Sequence, residues 1–374
     1  MKGTPYIVVW KGPWRRATGL GIAGREYVKA LKDLGVSVVI GERGRQKALA
    51  SPLPKVLVYH YAPHTLRVRK ERRHVNALIV NTVWETTRIP RRWVRPINQA
   101  DAVCVPSRHN RLALHRSGIN VPIYIAPHGV HARRFTPGRK PMPSKKRRFT
   151  FLSVFGFQHR KNPETLLRAY WEEFSAKDNV QLIIKTNGYA RHENERWIRR
   201  RIAAYKASLK LRKTTAPLKI IARTMDAESI RQLYRKAHAF VLPTRGEGVG
   251  LPFLEAMASG LPVIATGWGG HMDFLNRRNA FLVKCRLRPP AAGMKRAISR
   301  TFRHLFAEKG QRWAEPNLKS LKAQMRAAYA NPRLCRLKGA RARRDALKLT
   351  WERGGDALKK AIEQTLLRKG LLTR

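Results

Sequence analysis

The chain has 374 residues, which is enough for two domains that each bury a sizeable core. Its 78 Lys and Arg residues outnumber its 23 Asp and Glu residues, which gives a formal net charge of +55. No apolar run reaches the ~18 residues that a membrane-spanning helix needs. The three cysteines are scattered without metal-binding or disulfide spacing, which favours a reducing cytoplasm.

The positive charge runs through both halves of the chain, because the first 150 residues already hold 31 basic and 6 acidic residues. A spread excess of this kind attracts polyanions such as nucleic acid or an anionic membrane surface. It is equally typical of a compositional habit of the source organism. The charge therefore bears on partners and solubility and not on the fold.

The N-terminal half predicts strands that alternate with helices, as in a parallel sheet. An apolar strand at residues 6–10, too short for a secretory signal, is followed by a loop and a helix that runs through Leu34. Further strands are predicted at residues 36–40, 55–59, 77–81, 102–105 and 122–126.

The glycines at positions 19, 21 and 24 match G-x-G-x-x-G, and Glu42 lies where a ribose-binding acid of a dinucleotide-binding dehydrogenase would stand. That fingerprint places its glycines directly after the strand, where the turn meets the pyrophosphate. Here eight residues separate Trp10 from Gly19. The geometry therefore disfavours a dehydrogenase.

Two further features of this half have a functional and a structural interpretation. Trp84, Glu85 and Thr86 come just after the strand at 77–81, and carboxyl ends of strands in an open α/β sheet face the ligand crevice. The basic segment at 64–74 is either a solvated face or a contact for an anionic acceptor.

A segment rich in Pro, Lys and Arg at residues 138–148 has almost nothing to bury and predicts a linker. It separates a domain at 1–137 from a second α/β series at 149–349. Strands are predicted there at 149–155, 181–186, 218–224 and 238–244. The basic helix predicted at 195–213 is a solvated outer face or, alternatively, a surface for an anionic membrane.

Arg160 and Lys161 follow the first strand of this second series, directly before a predicted helix start at Pro163. Two cations at a strand end can neutralise a diphosphate, since Arg holds its oxygens in a fork and Lys acts as a point charge.

The stretch 245–266 predicts a glycine-rich loop, a helix that starts near Pro252 and stops at Gly260, and a short strand. A helix N-terminus behind a glycine loop is an anion site suited to phosphate. Glu247 in the loop and Glu255 on the helix would repel phosphate and therefore suit neutral sugar or ribose hydroxyls. An ordinary strand–loop–helix turn is the structural alternative.

The run EGVGLPFLEAMASGLPVIAT resembles the E-x7-E signature of the family-4 glycosyltransferases, which are retaining enzymes of the GT-B fold. The Trp-Glu-Thr segment, followed by Pro-x-x-Trp, and the Arg-Lys pair also resemble that family. The resemblance implies an α/β fold of two Rossmann-like domains that face each other across a cleft. It also implies that a C-terminal helix at 350–374 crosses back to the first domain, where Trp351 would pack.

The resemblance assigns roles to individual residues. It implies that Glu255 holds the nucleotide ribose, that Glu247 orients the donor sugar, and that Arg160 and Lys161 stabilise the leaving diphosphate. Where many members carry a His near the sugar, Glu85 or Thr86 stands in its place. The donor-binding set implied in full is Gly21, Arg160, Lys161, Thr224, Met225, Glu247, Gly248, Val249, Gly250, Leu251 and Glu255.

The implied activity is transfer of a sugar from a nucleoside diphosphate sugar to a hydroxyl of a polysaccharide or lipid-linked acceptor. Retention of configuration follows from the resemblance, which also implies no metal and no further cofactor. The expected location is the cytoplasm, with a peripheral position at the inner membrane surface as an option. The alternative is a nucleic-acid-binding or DNA-glycosylating protein on a GT-B fold, which the charge favours.

Overall fold

The computed structural model describes residues 4–16, 18–138, 147–294 and 297–373, without the side chains of Glu42 and Lys47. The chain forms two compact units: unit 1 is Met1–Gly129 with Leu349–Arg374, and unit 2 is Val130–Lys348. Most of the predicted linker at 138–148 lies outside the described residues, as does the Glu42 side chain of the dehydrogenase alternative.

Unit 1 contains a parallel sheet of six strands in the order β2-β1-β3-β4-β5-β6. The central strands are apolar runs with almost no exposed surface, because helices cover both faces of a parallel sheet. The strands are β1 (Ile7–Lys11), β2 (Ser37–Ile40), β3 (Lys55–Tyr59), β4 (Ala77–Asn81), β5 (Ala102–Val105) and β6 (Ile123–Ile125). The helices are α1 (Gly19–Asp33), α2 (Gly41–Leu49), α3 (Val68–Arg72), α4 (Arg91–Asn98) and α5 (Arg108–His115).

Unit 2 contains a second parallel sheet, in the order β12-β11-β10-β7-β8-β9, which is the Rossmann strand order. The strands are β7 (Phe149–Val154), β8 (Val180–Lys185), β9 (Leu218–Ile221), β10 (Ala239–Leu242), β11 (Val263–Thr266) and β12 (Ala280–Val283). The helices are α6 (Pro163–Glu173), α7 (Glu195–Ser208), α8 (Ala227–Lys236), α9 (Leu251–Ala258), α10 (Ala291–Met294), α11 (Leu318–Ala330) and α12 (Pro332–Ala346).

The α/β prediction is confirmed in both units, and the predicted strands agree with the observed ones to within a few residues. Gly260 has a φ of +67°, as a left-handed helix stop requires. The sequence did not predict the antiparallel hairpin of β13 (Cys285–Arg288) and β14 (Trp313–Pro316) that follows β12. The predicted helix at 195–213 is shorter, since α7 ends at Ser208.

The last helix, α13 (Trp351–Arg368), belongs to unit 1 and packs against α1. Trp351 is buried, with its ring centroid 5.6 Å from that of Tyr27 and 5.3 Å from that of His128. Close approach requires a small residue at position 355, because a Cβ there would stand 2.4 Å from Cβ of Ala30. Among the described residues, no helix is both long enough and apolar enough to cross a bilayer.

We expect Gly355→Ala to destabilise unit 1. Overpacking against Ala30 costs about 1–3 kcal/mol, which outweighs the gain of about 1 kcal/mol in helix propensity. Hydrogen exchange along α1 and α13 should become faster. Lys360→Ala, at an exposed position of the same helix, is the matched control and should change little. Slower exchange in Gly355→Ala would show that the assigned close packing is wrong.

Candidate active site

The most distinctive charged cluster of unit 2 joins Glu247 to two cations. Nζ of Lys161 lies 2.5 Å from Oε1 of Glu247, and Nη1 of Arg160 lies 3.3 Å from Oε2. All three side chains are about nine-tenths buried or more. Burial alone would raise the pKa of Glu247, but Lys161 and Arg160 outweigh it and lower that pKa to about 2. The carboxylate is therefore ionised, and it is paired with both cations.

A short turn after β7 presents the two cations. Residues His159–Lys161 form a 3₁₀ turn that ends at Asn162, which has a φ of +59°. Oδ1 of Asn162 accepts from the N–H of Thr165 and so caps α6, while its Nδ2 donates to the carbonyl of Pro243. The N–H of Arg245 also donates to the carbonyl of Arg160. The turn after β7 is thus attached directly to the loop after β10.

Arg245 stabilises this arrangement through several hydrogen bonds, and the sequence analysis did not identify this residue. Its Nη1 donates to the carbonyl of His159 at 2.6 Å and lies 3.3 Å from Oε2 of Glu164. Its Nε and Nη2 donate to the two carboxylate oxygens of Glu315 at 2.8 and 3.0 Å. A forked contact of this kind fixes orientation as well as charge. Arg245 therefore connects α6, the loop after β10 and the β13–β14 hairpin.

The glycine-rich loop after β10 leads into α9 as predicted. Gly250 is the N-cap of α9 with a φ of +87°, and a Cβ there would stand 2.5 Å from Cδ2 of Phe253. Because glycine offers no side-chain acceptor, the first-turn N–H groups of α9 have no side-chain cap. Gly248 and Val249 are buried in this loop, and Leu251 begins the helix half-buried.

Glu255, on α9, is held by Tyr234 from α8. The Tyr234 hydroxyl donates to Oε2 of Glu255 at 2.7 Å. Tyr234 is fully buried, with its ring stacked on Phe240 at 5.9 Å between centroids. Burial raises the pKa of Glu255, and the hydrogen bond from Tyr234 opposes that rise. Tyr234 therefore fixes one carboxylate oxygen and favours the ionised form.

His271 is a second residue that the sequence reasoning missed, although two glycines before a histidine in GWGGHMDFL are a signal for close packing. It is fully buried, and its Nε2 lies 2.7 Å from the carbonyl of Thr266. Burial lowers its pKa, so the ring is neutral at pH 7 with the proton on Nε2. Nδ1 finds no hydrogen-bond partner within the described residues. The neighbouring Gly270 N–H donates to the carbonyl of Glu247 at 2.7 Å, so this loop supports the Glu247 backbone.

The remaining predicted residues are not joined to this cluster by the contacts described above. Thr224 is exposed and Met225 half-buried, both between β9 and α8. Gly21 lies in α1 of unit 1, where a Cβ would stand 2.1 Å from the carbonyl oxygen of Arg16. The close approach of that loop explains the glycine, and a donor-binding role for Gly21 stays a prediction.

The side chains of Trp84 and Thr86 are hydrogen-bonded within unit 1. Nε1 of Trp84 donates to Oγ1 of Thr86 and to the carbonyl of Arg88, each at 2.7 Å. Both side chains are buried, whereas Glu85 is half-buried. Of the three, Glu85 is the residue whose burial best suits a contact with an acceptor, and that contact stays a prediction.

The comparisons with known proteins bear on the family and the fold. Residues 146–303 match the model of a family described as glycosyl transferases group 1. The lipopolysaccharide core biosynthesis mannosyltransferase LpsB of Rhizobium meliloti is 28% identical over 190 residues, which is 48% of this chain and 49% of that protein. The match spans less than half the length of each curated relative.

Solved structures resemble the chain over nearly its whole length. Sucrose-phosphate synthase from Thermosynechococcus elongatus has a TM-score of 0.70 at 17% identity, with 97% of this chain and 99% of that chain covered. Anabaena HepE, in complex with UDP and glucose, has a TM-score of 0.66 at 12% identity, with 95% and 98% covered. The fold is GT-B, as the sequence predicted, and residues 146–303 are similar to the glycosyl transferases group 1 family.

We expect Glu247→Gln to destabilise unit 2 at pH 7, because it leaves two buried cations without their carboxylate. The pKa of Glu247 is about 2 in the folded chain against an ordinary 4.5, so its stabilisation is complete above pH 4.5 and is lost as the pH falls towards 2. When unfolding by urea is measured at several pH values, the free energies of unfolding of wild type and variant should therefore converge as the pH falls towards 2.

The matched control is Asp33→Asn in the pair Lys29–Asp33, which has the same 2.5 Å separation but side chains that are 62% and 51% exposed. Exposed pairs contribute little, so this variant should unfold nearly as the wild type does. A difference between wild type and Glu247→Gln that stays constant down to pH 2 would contradict the assigned ion pair.

Proposed function

We propose that this chain is a retaining glycosyltransferase of the family-4 type, which moves a sugar from a nucleoside diphosphate sugar to a hydroxyl of a polysaccharide or lipid-linked acceptor. The observation that carries the proposal is the buried cluster in which Arg160 and Lys161 share the single carboxylate of Glu247. Two cations that lie in one loop cluster with an uncapped helix N-terminus suit the oxygens of a diphosphate.

Donor binding would change the partners within this cluster. The diphosphate would take over Arg160 and Lys161, with the N-terminal N–H groups of α9 as further donors. Glu247, released from full pairing, would then accept hydrogen bonds from hydroxyls of the donor sugar. Negative charge grows on the leaving diphosphate as the glycosidic bond breaks, so the same cations would stabilise the transition state more than the bound donor.

Retention would follow from attack on the face that the leaving group occupies. The bond between the anomeric carbon and the diphosphate oxygen breaks, the acceptor oxygen bonds to that carbon, and the acceptor proton passes to the leaving phosphate. In this reaction Glu247 orients the sugar and stabilises positive charge on its ring. Arg160 and Lys161 balance the diphosphate, so we propose that no metal is needed.

The nucleotide ribose would bind at Glu255. Tyr234 occupies Oε2, which leaves Oε1 to accept from a ribose hydroxyl. The nucleobase would meet backbone near Thr224 and Met225. The complex of HepE with UDP and glucose supports a nucleotide sugar as the donor, and the name of LpsB supports a glycan acceptor.

The direct test is a thermal-shift screen with UDP, GDP, ADP and their sugars. Ligand at ~100 times its Kd stabilises by about 2.7 kcal/mol. We expect one nucleotide to raise the Tm well above the others, Glu255→Ala and Lys161→Ala to remove most of that rise, and Glu247→Ala to lower turnover more than affinity. Lys177→Ala, which removes one exposed charge from unit 2, is the control. An equal shift from every polyanion, or an equal effect of Lys177→Ala, would refute the proposal.

We further expect Tyr234→Phe to weaken binding of the preferred nucleotide about tenfold, since Glu255 loses a charge-assisted hydrogen bond. The pKa of Glu255 should rise in the variant. As the pH is lowered, the variant should therefore begin to lose affinity for the nucleotide at a higher pH than the wild type does. Calorimetry over a pH series measures both effects. The 2′,3′-dideoxy form of the nucleotide is the control, and equal losses with both forms would show that Tyr234 does not act through the ribose.

A further inference from the structure

A cavity of about 420 Å³ lies in unit 2 apart from the Glu247 cluster. One wall comes from α7 and the loop before it, through Glu193, Trp197 and Arg201. The other wall comes from residues 298–301, which belong to the connection between β13 and β14. The volume suits a small organic ligand.

Hydrogen bonds hold both walls in place before any ligand arrives. Glu193 accepts from the N–H groups of Tyr189 and Ala190 and from the hydroxyl of Thr301, at 2.7, 3.2 and 2.5 Å. Ser299 donates to the carbonyl of Phe157 at 2.9 Å. These bonds fix the backbone of both walls, whereas the side chains of His192, Arg201 and Arg300 are exposed.

The guanidinium of Arg201 is held in a defined orientation in this cavity. Its Nε donates to the carbonyl of Ile298 at 2.9 Å, and its guanidinium carbon lies 5.9 Å from the centroid of the Trp197 ring. These two contacts orient the guanidinium, while its terminal nitrogens have no acceptor in the part of the chain that the structure describes. An oriented guanidinium with free terminal N–H groups matches the oxygens of a phosphate.

The charge of the lining also favours an oxyanion. Arg300 adds a second guanidinium, and His192 adds a ring nitrogen at the edge of Trp197, 6.0 Å between centroids. The one carboxylate, Glu193, opposes an anion, but its oxygens already accept three hydrogen bonds within the protein. The terminal nitrogens of Arg201 are thus the donors available to a ligand, and the Trp197 ring offers apolar surface for the carbon skeleton of a sugar.

We propose that this cavity is a second binding site of unit 2, which holds the phosphate group of a small phosphorylated saccharide on Arg201 and Arg300. The site is separate from the proposed donor site and does not depend on the proposed function. Arg201 binds the phosphate, Trp197 lies against the sugar ring, and the 298–301 segment closes the opposite wall.

Isothermal titration calorimetry tests the proposal with three probes: glucose 6-phosphate, inorganic phosphate and glucose. Each titration is repeated on Lys161→Ala, because a ligand held at the proposed donor site would lose affinity in this variant and a ligand held in the cavity would not. We expect glucose 6-phosphate to bind more tightly than inorganic phosphate, and glucose not to bind. Arg201→Ala and Arg300→Ala should each weaken the binding of glucose 6-phosphate about tenfold.

The matched control is Arg200→Ala, because Arg200 is exposed on the same helix and lies outside the cavity lining. It should leave the affinity unchanged. Arg300→Ala keeps the test decisive if Arg201→Ala fails to fold. An equal loss in Arg200→Ala, no saturable binding of glucose 6-phosphate, or equal affinities for glucose 6-phosphate and inorganic phosphate would overturn the proposal.

Discussion

The charge balance around one buried carboxylate governs the candidate site. Glu247 is ionised because two cations surround it, and the cations tolerate burial because Glu247 is there. A buried charge that loses its partner is costly. The hydrogen bonds of the surrounding backbone keep these charges paired.

Three separate segments must meet for that cluster to form. Asn162 joins the turn after β7 to the loop after β10, and Arg245 joins that loop to α6 and to the β13–β14 hairpin. The loop after β11 contributes the Gly270 N–H to the backbone of Glu247. The carboxyl ends of β7, β10 and β11 are neighbours in the sheet, so the strand order itself brings these loops together.

Local chemistry made much of this structure predictable. Gly250 and Gly260 have the positive φ angles that their places at the ends of a helix suggest, and the apolar runs form the two parallel sheets. The partners of Arg245, Tyr234 and His271 were not predictable, because each contact depends on tertiary packing and has no periodic or motif signal. Gly21 shows a different limit. The sequence suggested a ligand as the reason for this glycine, and the structure shows a second reason, the close approach of the Arg16 carbonyl.

The pairing of α13 with α1 has a consequence for how the chain folds during synthesis. Unit 1 begins the chain, yet its last helix leaves the ribosome after every residue of unit 2. The apolar side of α1 that receives Gly355 and Trp351 stays uncovered until then. Unit 2 is therefore the first part that can reach its final form. Residues 1–129 stay incompletely packed, and accessible to chaperones, until α13 has been made.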